Sequence, residues 1–249
     1  MKKLLRWAGI GLVGLAGLVL IAVLVVYGAS EVMLRRTQPK AAVHIAAANG
    51  PDAVARGARI AKVYGCHDCH GADLTGRLFF DEMPIARIAA PNLTLEIARQ
   101  SDEDLARAIR TGVAADGRAL WIMPSQAFSR LTDAETSDLL AYLRSFDPHG
   151  ARQPAKDLGP VGRLGVLLGK FRSEPESLKL VGKVQPMDLG PHFAHGRSLA
   201  RACMECHGPD LKGSEVTHAP DLMIAGAYDI GDFERLLRTG VAAGGRKLG

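Results

Sequence analysis

Two short motifs constrain this chain more than anything else in it. Its four cysteines fall into two tight pairs, Cys66 with Cys69 and Cys203 with Cys206, and a histidine follows each pair at once, His70 and His207. C-x-x-C-H is the spacing of a covalent haem attachment site. Two thiols on one helical turn can each form a thioether with a haem vinyl group, and the adjacent imidazole then turns toward the iron. Other uses of paired cysteines fit poorly. A zinc ribbon places its pairs ~15–20 residues apart, whereas more than 130 residues lie between Cys69 and Cys203. A thioredoxin-like motif needs a βαβ context, and no such pattern is visible.

The surroundings of the two motifs are duplicated. Cys69-His70-Gly71-Ala72-Asp73-Leu74-Thr75-Gly76 returns as Cys206-His207-Gly208-Pro209-Asp210-Leu211-Lys212-Gly213. Ala90-Pro91-Asn92-Leu93 returns as Ala219-Pro220-Asp221-Leu222, Arg110-Thr111-Gly112-Val113-Ala114-Ala115 as Arg238-Thr239-Gly240-Val241-Ala242-Ala243, and Gly117-Arg118 as Gly245-Arg246. The order is the same in both copies, and the loop after the haem motif is shorter in the second. Two copies of a long unit predict a duplicated domain rather than a solenoid.

Each copy reads as helical. Arg56 to Tyr64 leads into the first motif. Ser101 is an N-cap with Asp102, Glu103 and Asp104 in the first turn, Leu105 and Ile109 share a face, and Gly112 is a C-cap. Thr132 and Glu135 form a capping box, and Leu139, Leu143 and Phe146 line one side of the helix that Asp147-Pro148 ends. In the second copy, Asp229 to Gly240 repeats the earlier helix, with Phe233 and Leu237 on its buried face. No sustained period of two appears, so the fold class is all-α.

The N-terminus stands apart. Lys2, Lys3 and Arg6 precede an apolar run from Trp7 to Tyr27, close to the ~20 residues that cross a bilayer as a helix. A cleaved signal peptide begins the same way, but its apolar region is usually ~7–15 residues, so an uncleaved anchor is favoured. The expected division is 1–36 anchor, 37–149 first haem domain, 150–188 Gly- and Pro-rich linker, and 189–249 second haem domain. Within the linker, Val161 to Phe171 is too short to span a membrane; it packs on a haem domain or, alternatively, touches the bilayer surface. The net charge of +5 suits acidic partners or anionic lipid, and without a basic stripe interleaved with aromatics it excludes nucleic acid as the natural partner.

Met123, in Leu120-Trp121-Ile122-Met123-Pro124, is the expected distal ligand of the first haem, since a loop ahead of the last helix can cover the second haem face. Met83, also followed by proline, lies too soon after the motif. The position in copy two that aligns with Met123 falls beyond Gly249, so the second domain reads as truncated. The chain is thus expected to be a fragment ending within that domain; were it complete instead, the second iron would be five-coordinate or take Met223 or His218. His67 is expected to face solvent, and His44, His149, His192, His195 and His218 read as surface residues.

These blocks resemble the class I cytochrome c family. They are most similar to the membrane-bound multihaem cytochrome subunits of bacterial alcohol and gluconate dehydrogenases. Taken with the duplication and the N-terminal apolar run, the resemblance gives two tandem cytochrome c domains, the second truncated, after an N-terminal transmembrane helix, with two covalent haems c. Cys66, Cys69, His70, Cys203, Cys206 and His207 would bind them, and His70, Met123 and His207 would ligate iron. It implies that the Pro91 and Pro220 carbonyls accept a hydrogen bond from the proximal imidazoles and that Arg118 and Arg246 face haem propionates or solvent. The chain departs from those subunits in its haem count and in the N-terminal place of its anchor. The expected function is single-electron transfer at the bacterial inner membrane, with the haem domains in the periplasm. The electrons would pass from a periplasmic donor to a respiratory acceptor, and the partners would be a dehydrogenase, another cytochrome or a terminal oxidase. The alternative is a dihaem peroxidase with one open iron. No residue reads as a catalytic acid, base or nucleophile.

Overall fold

The structure, a computed structural model, describes residues 2–181, 184, 187–215 and 217–248. The chain divides into two compact units, Met1–Lys179 and Leu180–Gly249.

The first unit begins with α1 (Lys2–Arg35), a single helix whose apolar side chains stay exposed along most of its length. Among the described residues it is the one helix long and apolar enough to cross a membrane, over Arg6–Arg35. Next come α2 (Pro51–Val63) and the one-turn α3 (Cys66–His70). A hairpin of β1 (Leu78–Glu82) and β2 (Ala86–Ala89) leads to α4 (Leu93–Ile97) and α5 (Asp102–Thr111). After α6 (Ser125–Phe128) and α7 (Asp133–Arg144), the chain adds β3 (Asp157–Leu158), α8 (Pro160–Leu167) and α9 (Glu174–Val181).

Local chemistry sets the helix limits. The Ser101 hydroxyl accepts the Asp104 N–H at 3.1 Å, satisfying a donor that the helix itself leaves unpaired. Gly112 ends α5 with φ 68°, in the left-handed region. Thr132 and Glu135 cap α7 reciprocally, at 3.1 Å and 2.7 Å. The core lies between α2, α5 and α7: Ala61, Leu105, Ile109, Leu139, Leu140 and Leu143 are buried there, with Phe146 packed at the edge. Burying one such leucine fully is worth about 1.5–3 kcal/mol. Helices α2 and α7 approach closely because position 57 is glycine; a Cβ there would stand 2.0 Å from the Asp138 carbonyl oxygen. The Arg56 guanidinium closes the same seam, donating from two nitrogens to the Asp138 carboxylate at 2.6 Å and 2.7 Å. Arg144 ties the end of α7 to the start of α5, reaching Asp102 at 2.8 Å and the Gln100 carbonyl at 2.7 Å.

The chain is mostly helical as expected, with one addition: a three-stranded antiparallel sheet, β1-β2-β3. Strands of two to five residues are too short to carry a period-two signal. β3 pairs with β2 through Leu158 opposite Ala86, a partner some seventy positions upstream. The apolar stretch Val161–Phe171 packs on the first unit. Leu158 and Val166 are buried with Leu34 of α1 and with Trp121, and the Phe171 ring lies 5.6 Å from that of Trp121.

The second unit contains α10 (Ala194–Leu199), α11 (Met204–His207), a 3-10 stretch over Leu222–Ala227 and α12 (Ile230–Thr239). Asp229 caps α12 and Gly240 ends it at φ 69°. Leu237, expected on the buried face, is exposed. No described element of this unit covers that side of α12 as α6 covers α5 in the first.

Candidate functional site

In the first unit the C-x-x-C-H residues form α3, and in the second they run from the end of a 3-10 turn (Ala200–Cys203) through α11; both end in a glycine that takes a positive φ, 82° at Gly71 and 80° at Gly208. The chain then loops back tightly. Gly76 N–H donates to the His70 carbonyl at 2.7 Å, and Gly213 N–H to the His207 carbonyl at 2.8 Å. Leu74 and Leu211 both adopt φ near 60°, an uncommon conformation for leucine. Leu93 N–H reaches the Leu74 carbonyl at 2.8 Å, and Leu222 N–H the Leu211 carbonyl at 2.9 Å. These bonds bring the Ala-Pro segment against the motif. A Cβ at Gly76 would meet the Ala90 carbonyl oxygen at 2.3 Å, so only glycine fits that approach.

The result is a fixed imidazole. His70 Nδ1 lies 2.9 Å from the Pro91 carbonyl oxygen, and His207 Nδ1 lies 2.7 Å from that of Pro220. A carbonyl only accepts, so the proton sits on Nδ1 and the lone pair on Nε2. That tautomer is the one able to coordinate a metal through Nε2, with the carbonyl holding the ring's orientation. Burial further lowers the His70 pKa, favouring the neutral ring; the Pro91 hydrogen bond opposes this and the neighbouring His67 adds to it.

The cysteines of each pair share one turn, and none of the four is in a disulfide. Burial pushes the Cys66 thiol up to about 11 and raises that of Cys203. Cys66, Tyr64, Leu93 and Met123 all pack against the main core cluster. Met83 instead lies exposed at the β1–β2 turn. The Trp121 Nε1, two residues before Met123, is buried without a hydrogen-bond partner among the described residues. A covalent haem fits this set in the first unit: two thiols on one turn, an oriented imidazole, apolar neighbours and a buried donor lacking an acceptor.

The second unit repeats the proximal geometry but not its enclosure. His207 is half-buried, Met223 is 78% exposed, and His218 is exposed. Met204 and Ala242 are its buried apolar residues among those described.

One sequence-based expectation, for His67, is overturned, while Arg118, His44 and His149 lie at the surface. His67 does not face open solvent: it is half-buried, with Tyr142 Oη 3.2 Å from its Nε2 and its own Nδ1 3.3 Å from the Gly71 carbonyl. Tyr142, unremarked in the sequence, sits on α7, 75 positions away. Arg118 lies at the surface, its Nε donating to Asp116 at 2.5 Å. His44 and His149 are surface residues, each beside a carboxylate.

Residues 54–147 match the family model described as cytochrome c. The chain is 26% identical to the fructose dehydrogenase cytochrome subunit of Gluconobacter japonicus over 230 residues, covering 79% of this chain and 46% of that protein. It is 28% identical to a nicotinate dehydrogenase subunit of Pseudomonas putida over 174 residues, covering 64% of this chain and 14% of that one. The chain therefore spans less than half the length of either relative.

Proposed function

We propose, from the match of residues 54–147 to the cytochrome c family model, that the chain is a membrane-anchored dihaem cytochrome passing single electrons between a periplasmic donor and a respiratory acceptor. The observation that carries this reading is the matched pair of imidazole–carbonyl contacts, His70–Pro91 at 2.9 Å and His207–Pro220 at 2.7 Å. Two independent segments bring the same ring to the same tautomer, although their side chains are differently buried. That supports a second haem in residues 189–249 beside the one the family implies for residues 37–149, with 150–188 joining them.

Cys66 and Cys69 would hold the first haem, and Cys203 and Cys206 the second. When bound, haem supplies an iron that gains and loses one electron. The protein's part is to fix the ligands and exclude water. His70 and His207 present Nε2, and the Pro91 and Pro220 carbonyls keep those rings aligned. Met123 would offer its thioether to the first haem, and a thioether favours the reduced iron and raises its potential. The Trp121 indole N–H is available to a haem carboxylate. No described side chain needs to act as acid, base or nucleophile. The exposed apolar α1 anchors the chain, and both haem domains lie on the periplasmic side, where such cofactors are attached. The names of the two relatives support a dehydrogenase as electron donor.

The test is a pyridine haemochrome count on purified membrane protein, with optical spectra before and after adding carbon monoxide. Two c-type haems per chain, the first inert to carbon monoxide, are expected. One haem per chain would remove the second site. Ready carbon monoxide binding at the first haem would remove Met123 as its ligand and favour a peroxidase-type enzyme.

A further inference from the structure

Helix α8 lies against α1 and is held there by one arginine. The Arg163 guanidinium, 15% exposed, donates to Ser30 Oγ and Glu31 Oε2, each at 3.0 Å, and stacks 4.7 Å from the centre of the Tyr27 ring. Ser30 itself is fully buried. This clamp sets the depth of α8. Its Val161 and Leu164 line an apolar groove with Val19, Val23 and Val26 of α1.

Those α1 residues lie N-terminal to Tyr27, where the apolar run ends. At 1.5 Å per residue, Val19 is about 12 Å along the helix from Tyr27. A tyrosine at the end of an apolar span belongs at the lipid headgroup level. Val161 and Leu164 of α8, and Leu168 that caps it, nevertheless remain exposed. Exposed Lys170 and Arg172 follow directly, and Arg35 and Arg36 close the apolar helix at its far end.

We infer that α8 is an interfacial membrane helix, with Val161, Leu164 and Leu168 seated among the acyl chains of the periplasmic leaflet beside α1 and the flanking basic residues at the phosphates. The inference rests on the proposal that α1 is an anchor. Its occupant is lipid because the face is continuous with the apolar surface of α1, and because an apolar helix edged with cations suits the bilayer boundary. With Leu34, Trp121, Leu158 and Val166 buried together, α8 and α1 hold the first haem domain against the membrane as one body.

Full-length chain reconstituted in phospholipid vesicles, with and without bromine on the acyl chains, separates the two claims. With Trp121, the chain's other tryptophan, replaced by phenylalanine throughout (Trp121→Phe), the parent's Trp7 alone reports on α1, and the variants Leu164→Trp and Leu168→Trp add a reporter on α8 and its C-cap. The expected result is bromolipid quenching of the parent, further quenching of each added indole, and shielding of that indole from aqueous iodide. A parent that bromolipid leaves bright defeats the anchor itself. A quenched parent with an added indole open to iodide keeps the anchor and overturns the α8 inference. So does an added indole shielded from iodide but untouched by bromolipid, since protein such as a second copy would then cover it.

Discussion

The two units share a backbone and differ in what encloses it. From the C-x-x-C-H turn through the Ala-Pro segment to the glycine after the capped helix, the backbone hydrogen bonds common to both, and the histidine–proline contact, agree to within 0.3 Å. Leu120 N–H meets the Gly112 carbonyl at 2.7 Å, and Leu248 N–H meets that of Gly240 at the same distance. Yet Leu105 and Ile109 of α5 are buried, whereas their counterparts in α12, Phe233 and Leu237, are half-buried and exposed. The difference shows that the ligand-presenting template is locally encoded, while burial depends on α2, α6 and α7, which pack in from elsewhere.

The largest expected effects come from removing the two proposed haem sites. Cys203→Ala with Cys206→Ala should lower covalent haem from two to one per chain and open residues 190–248 to limited proteolysis, because little protein core remains there. Cys66→Ala with Cys69→Ala should lower haem equally but leave α2, α5 and α7 more protease-resistant. Equal proteolysis of both variants would show that haem holds the two units to the same extent.

Next in size is the contrast between buried and exposed leucines. Leu140→Ala, at 0% exposure, should cost about 2–5 kcal/mol in thermal or urea unfolding. Leu237→Ala, at 69% exposure, should stay within about 0.5 kcal/mol. A large loss at Leu237 would mean that α12 is covered in the assembled protein.

The glycines of α2 and α10 give a smaller contrast. Gly57→Ala forces a Cβ onto the Asp138 carbonyl and should destabilise by roughly 1–3 kcal/mol. Gly196→Ala meets nothing within 4 Å and should be neutral or stabilise by up to about 1 kcal/mol through helix propensity. Both are readable as shifts in melting temperature.

The smallest effect is on pH dependence. The Arg56 guanidinium beside Asp138 holds its carboxyl below the usual carboxylate range, against the opposing cost of burial. Because the folded pKa is depressed, this contribution is present above the unfolded value of about 3.9 and is lost as pH falls through the folded one. Arg56→Ala should therefore lower stability at neutral pH and flatten the acid limb of the first unit below about pH 4. An unchanged acid limb would show that Asp138 is not held low by Arg56.

Much of the site was legible because its contacts are short-range. The imidazole-to-proline bond spans 21 positions in the first unit and 13 in the second, and the motif, its glycines and the Ala-Pro block all lie within that reach. The caps at Ser101, Thr132 and Asp229 use side chains three residues away, so they too were visible. Tyr142 beside His67 was not, since a tyrosine on a helix face carries no mark of a partner 75 positions distant.

By itself, then, the sequence determined the two C-x-x-C-H turns, the duplicated template around them, the helix limits and the long apolar α1, all products of chemistry within a few turns of chain. Only the tertiary structure decided the pairing of β3 with β2, the exposure of Leu237 and the docking of α8 on α1. Those outcomes depend on which surfaces meet after the chain has folded back, as when Arg163 finds Ser30 across 133 positions, and neither propensity nor spacing encodes a meeting at that range.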